Sequence, residues 1–276
     1  MIWSVNLPAR VARYALQLPN CTNFRDMGGV RLRAGQGVAE HRFYRSGRLD
    51  RLTAGEQEVL LDLGIRRIVD IRTADEKHRY PDRIPQGITY IEKPAEIVEF
   101  SLEAVIKLFR ETAAGNHDPD QYVLDNYARM PFVLAPLFGE LFRLLLEADT
   151  HPLLLHCTGG KDRTGVFSAL FLYALGADND AVMEDYLLSG HRGDDLVTVS
   201  RRYADSFRAY GFSISPEQTY PFLRAEERYL ASALSAIQRQ CGSISGYLHG
   251  TVGLGNADIE RLHAVFIRQP VSPLIR

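Results

Sequence analysis

Cysteine is scarce in this chain. Cys21, Cys157 and Cys241 are the only three in 276 residues, and they lie far apart. That spacing excludes a CxxC metal cluster and a disulfide framework. No metal and no cofactor is expected. Strong charge of one sign is also missing. A net charge of −2 lacks the basic excess of a general nucleic-acid binder, and no nucleic-acid partner is expected. No apolar run approaches the roughly 18 residues that read as a membrane span. The first residues, MIWSVNLPARVARYALQLPN, are interrupted by polar side chains and prolines and lack the apolar core of a secretion signal. A cytoplasmic setting is expected, with signal-free secretion left open. Internal repeats and low-complexity tracts are absent too. What remains is the 46% apolar and 24% charged composition of an ordinary globular protein.

The first third alternates strand and helix patterns. His41–Ser46, Arg67–Arg72, Gly87–Ile91 and Leu153–His156 read as strands. Thr53 and Glu56 form a capping box that opens a helix running to about Gly64. The stretch Thr164–Leu175 is apolar on most faces and predicts a buried helix. Strands separated by helices predict an α/β fold with a central, mostly parallel sheet flanked by helices. Two long helical insertions, about 95–130 and 190–225, exceed what a core connection needs. The expectation is one domain over residues 1–276 with these insertions folded over the site as a helical lid.

Residues 155–165, LHCTGGKDRTG, place Cys157 between an apolar strand and a helix. A short glycine-rich loop between Cys157 and Arg163 can turn its backbone N–H groups toward one point. The helix starting near Thr164 adds the positive end of its dipole. Arg163 adds a planar fork for two phosphate oxygens. The result is an anion cradle with a thiol at its floor, and the same field favours the nucleophilic thiolate.

His156-Cys157-x5-Arg163-Thr164 resembles the HCx5R(S/T) signature of the cysteine-dependent protein tyrosine and dual-specificity phosphatases. The form Gly160-Lys161-Asp162-Arg163-Thr164-Gly165 narrows this to a bacterial subgroup of atypical tyrosine phosphatases that also act on phosphoinositides. Asn23-Phe24-Arg25-Asp26-Met27-Gly28-Gly29, Tyr44-Arg45-Ser46, Val69-Asp70-Ile71-Arg72 and Asp185-Tyr186-Leu187-Leu188-Ser189 resemble further elements of that subgroup, in the expected order. The resemblance implies a tyrosine/dual-specificity phosphatase-like fold and hydrolysis through a cysteinyl-phosphate. It makes Cys157 the nucleophile and Arg163 the phosphate clamp. The loop from Thr158 through Gly159, Gly160 and Lys161 to Arg163 becomes the cradle. Thr164 would stabilise the departing thiolate, and His156 would shape the loop. Arg25, Asp26 and Asp70 are candidate supports, each with a plain reading as a turn or ion-pair residue.

The resemblance implies Asp162 as the general acid, with Asp125 and Asp118 as alternatives on an upstream loop. Lys161 either adds charge for multiply phosphorylated headgroups or points to solvent beside Asp162. The expected partner is a phosphorylated protein, with phosphotyrosine first and phosphoserine or phosphothreonine beyond it, or a phosphoinositide. The oligomeric state is not readable. Alternatives are a catalytically weak phosphate-binding module and a phosphoinositide-only lipid phosphatase. A sulfurtransferase or an arsenate reductase is disfavoured by the arginine and by the position of the loop. Cys21 and Cys241 read as bystanders, a Cys21–Cys157 disulfide being the alternative.

Overall fold

The computed structural model describes residues 17–95, 101–147, 151–191 and 193–268. The opening stretch up to residue 16 and residues 96–100 of the first insertion lie outside the described residues. Strand β1 (Arg25–Asp26) leads through β2 (Gly37–Val38) to β3 (Phe43–Ser46). Helix α1 (Ala54–Asp62) starts at the predicted capping box, both halves of which form. Glu56 also binds the backbone and side-chain nitrogens of Asn20 at 2.8 and 3.0 Å, which ties the N-terminal segment to the helix start. Strand β4 (Arg67–Asp70), helix α2 (Ala74–Arg79) and strand β5 (Thr89–Glu92) follow. Helices α3 (Leu102–Ala113), α4 (Pro119–Val133) and α5 (Ala135–Leu146) precede β6 (Leu153–His156).

The main sheet has the order β1-β3-β6-β4-β5. Strands β3, β6, β4 and β5 run parallel, and β1 joins antiparallel at the edge. This is the expected α/β architecture. Alternation of side chains along each strand divides the core. Phe43, Val69, Leu153 and Leu155 enter the larger cluster on one face, and Tyr44, Ile68 and Leu154 the smaller one on the other. Helix α6 (Arg163–Ala174) is buried along almost its whole length within the larger cluster, as its all-round apolar sequence requires.

Helices α7 (Asn179–Leu187), α8 (Gly193–Ser206), α9 (Tyr220–Leu223) and α10 (Glu227–Cys241) come next. Then α11 (Ile244–Gly250) and α12 (Asn256–Phe266) lead to β7 (Ile267–Arg268), which pairs with β2. The two insertions share a small core of their own, in which Val105 and Phe109 of α3 meet Phe207, Phe212 and Phe222. Among the described residues no helix is long and apolar enough to cross a membrane.

Candidate active site

Cys157 lies directly after the central strand β6 and is 1% exposed. The loop that follows is held from outside by its carbonyls. Arg48 N donates to Thr158 O at 3.1 Å, Asn23 Nδ2 to Gly159 O at 2.7 Å, and Arg45 Nη2 to Gly160 O at 2.8 Å. In a trans peptide the C=O and N–H point in opposite directions. With these three carbonyls tied to Arg48, Asn23 and Arg45, the N–H groups of Gly159, Gly160 and Lys161 point away from those partners. Gly160 has a φ of +63°, and a Cβ there would lie 2.4 Å from the backbone of Ser46. Only glycine fits.

Arg163 opens α6 and is clamped by Glu76. Nη1 and Nη2 donate to the two carboxylate oxygens at 2.7 and 2.6 Å. The hydroxyl of Thr158 also donates to Glu76. Glu76 is at the same time the third residue of a capping box with Thr73, which starts α2. Its side chain is thus fixed by its own helix before it meets the arginine. Burial alone would raise the Glu76 carboxyl, but the Arg163 charge and hydrogen bonds hold it down at about 2.

Behind the cysteine sits a buried charge network. His156 is fully buried, with Nδ1 3.4 Å from Cys157 O, and Nε2 3.3 Å from Asp82 and 3.8 Å from Asp70. Arg72 binds Asp70 at 2.8 Å and Asp82 at 2.6 Å, and Tyr90 donates to Asp70. Burial would raise Asp70, but His156 and Arg72 bring it to about 2. Asp82 is pushed up, by burial first. Asp70, Asp82 and His156 could bring one ligand atom each together. Arg72 already spans both carboxylates, so the group fits an ion pair and not a metal centre.

A second network lies on the other side of the loop. Arg25 and Arg45 both bind Asp185, with contacts at 3.1 Å, and both reach the hydroxyl of Ser189. Two guanidinium groups face one carboxylate under the loop. Burial, and then Arg25, push Arg45 down to about 9. Arg25 thus acts on the loop through Asp185 and Arg45. Asp26 turns away: its oxygens take the amides of Gly28 and His41 at 2.8 Å each.

The Lys161 side chain is 3% exposed. Its ammonium donates to Pro221 O at 3.2 Å and Arg224 O at 3.1 Å, and lies 2.8 Å from Asp162 Oδ1. It pairs with Asp162 but does not point to solvent, because the 220–225 segment covers it. Asp162 Oδ1 also receives the hydroxyl of Tyr127 at 2.7 Å. The upstream aspartates have other partners. Asp118 caps α4, and Asp125 accepts from Gln121 at 2.7 Å. The Thr164 hydroxyl is buried and has no hydrogen-bond partner among the described residues. Cys21, Cys157 and Cys241 are all free thiols, and burial pushes the Cys21 thiol up to about 12.

The sequence reading missed Glu76, Asp82, Tyr127 and the contact made by Asn23. For Glu76 the signal was present, since Thr73-x-x-Glu76 is the pattern that was recognised at Thr53-x-x-Glu56. Tyr127 and Asp82 carry no local signal.

Known proteins share this chain's pattern at length. The family model described as the tyrosine phosphatase family matches residues 16–268. A Cupriavidus necator protein, named for tyrosine-protein phosphatase activity, is 30% identical over 90% of this chain and 87% of its own length. The triple specificity protein phosphatase PtpB of Mycobacterium tuberculosis is 28% identical over 91% of this chain and 98% of its own. Among solved structures, TpbA of P. aeruginosa is matched over 63% of this chain and 89% of its own, at 20% identity and a TM-score of 0.33. With Cys157, Arg163 and the loop between them set at the end of the central strand, the chain belongs to the tyrosine phosphatase family.

Proposed function

We propose that this protein is a cysteine-dependent phosphatase of the bacterial atypical subgroup that the sequence resembles. It hydrolyses phosphate monoesters through a cysteinyl-phosphate. The observation that carries the reading is the cradle itself, in which outward-tied carbonyls and a Glu76-clamped Arg163 surround a buried cysteine. The loop amides and Arg163 hold the phosphate oxygens, where charge develops during transfer. The Cys157 thiolate attacks phosphorus, and the ester oxygen leaves with a proton from Asp162. Water then attacks the phosphocysteine and gives its proton to Asp162, and the thiolate departs. The unpartnered Thr164 hydroxyl supports its role as donor to the departing sulfur. Lys161 balances the Asp162 carboxylate between the two transfers.

Phosphotyrosine is the first substrate class, with phosphoserine, phosphothreonine and phosphoinositides as further ones. The triple specificity named for the mycobacterial relative supports that breadth. The commitment of Lys161 to two carbonyls and Asp162 counts against a standing role for it as a headgroup ligand. The insertions act as a lid, and the bonds from Lys161 to Pro221 and Arg224 support this. Release of phosphate from a panel of phosphopeptides and phosphoinositides, with Cys157→Ser as the blank, tests the reading. Turnover of lipids alone would favour the lipid-phosphatase alternative, and turnover of neither would favour the binding module.

A further inference from the structure

Asp162 has an unusual setting for a residue at a helix start. It stands at the N-cap of α6, where an aspartate ordinarily accepts from the helix amides, yet it makes no such capping bond. Its Oδ1 instead accepts from the Tyr127 hydroxyl at 2.7 Å and lies 2.8 Å from the Lys161 ammonium in an ion pair. Tyr127 comes from the first insertion and is 1% exposed. Its oxygen lies 2.7 Å from the hydroxyl of Tyr186. A phenol has one proton to give. Tyr127 gives it to Asp162, so Tyr186 must be the donor to Tyr127. The direction of the chain is fixed as Tyr186 to Tyr127 to Asp162. Burial first, and then Asp162, push both phenols well above their ordinary range, which keeps both protonated.

We infer that Tyr127 is a positioning residue for proton transfer, holding Asp162 by Oδ1 so that the transferable proton is carried on Oδ2. With Oδ1 engaged by the Tyr127 hydroxyl and by the Lys161 charge, Oδ2 is the oxygen left to serve the leaving group. Tyr186 sets the rotation of the Tyr127 hydroxyl. The inference rests on the reading of Asp162 as general acid and assigns the contact by which the first insertion holds that acid. A core reading of Tyr127, as an aromatic packed against Tyr186 and Tyr229, predicts no link to leaving-group chemistry.

The test uses Tyr127→Phe, which keeps the ring, and Tyr186→Phe, which removes only the orienting donor. Rates are compared for an alkyl phosphate and an activated aryl phosphate, in wild-type and Asp162→Asn backgrounds. Tyr127→Phe should lower kcat for the alkyl phosphate about tenfold, the order expected for one hydrogen bond to a charged group. It should leave the aryl phosphate and KM nearly unchanged. Tyr186→Phe should shift the ratio the same way by less. In the Asp162→Asn background Tyr127→Phe should add nothing. Equal slowing of both substrates, or full additivity with Asp162→Asn, overturns the inference. If Asp162→Asn itself fails to discriminate between the substrates, the general-acid reading has failed instead.

Discussion

Glu76 holds the Arg163 guanidinium through both of its terminal nitrogens, at 2.7 and 2.6 Å. It does so from a helix start that its own side chain also caps. One carboxylate thus fixes the fold of α2 and the plane of the arginine. Glu76→Gln keeps the size but loses the charge-assisted pair. Its kcat should fall about tenfold, the order of one charged hydrogen bond, with a smaller change in KM. Steady-state kinetics on an aryl phosphate check this, and unchanged kcat would remove Glu76 from the account.

Arg163→Lys should be nearly as damaging as Arg163→Ala, because lysine keeps the charge but cannot span two oxygens. The same planar fork is what Glu76 grips. The comparison of kcat/KM for the two variants decides it. A lysine variant retaining most activity would contradict the bidentate role.

Acid stability follows from the same carboxylate. The folded value of about 2 for Glu76 lies below its ordinary 4.5. The stabilisation is therefore complete above about pH 4.5 and is lost as pH falls toward 2. The size is on the order of 3 kcal/mol. Glu76→Gln should lower the melting temperature at pH 7 and narrow the gap to wild type as pH falls through that window. A gap that is constant with pH would contradict the assignment.

The Thr164→Val variant should slow breakdown of the phosphoenzyme more than its formation, because the proposed role of the hydroxyl is to donate to the departing sulfur. A burst of leaving group, absent or small in wild type, should appear in stopped-flow traces. Equal slowing of both steps would place Thr164 in packing alone.

Much of this was legible in sequence because it is local. The strand Leu153–His156, the loop and the helix after it are contiguous, and the Thr53 capping box is four residues long. The parts not legible are those made by distant segments. Arg45, Asp185 and Asn23 were visible as motif residues, but nothing in their order says that Asn23 and Arg45 meet at the carbonyls of one loop or that Asp185 holds Arg45 there. Asp82 lies in a stretch without regular structure and reaches His156 only because β4 and β6 pair. Tyr127 reads as an apolar position on a helix, and its hydroxyl's partner is set by how the insertion docks. Lys161 was read as extra charge for a phosphorylated headgroup or as a solvent-facing partner of Asp162. It pairs with Asp162, but a segment 60 residues further on buries its side chain.

The central claim is that phosphate passes through Cys157. Rapid quenching of the enzyme during turnover of an aryl phosphate, followed by mass spectrometry of the digested protein, tests it most directly. The account predicts a phosphate adduct on the peptide carrying Cys157, enriched in Thr164→Val. It also predicts no adduct in Cys157→Ser, whose turnover falls below about a hundredth of wild type. Turnover in Cys157→Ser above that level, or a Thr164→Val burst with no phosphate on Cys157, would contradict it.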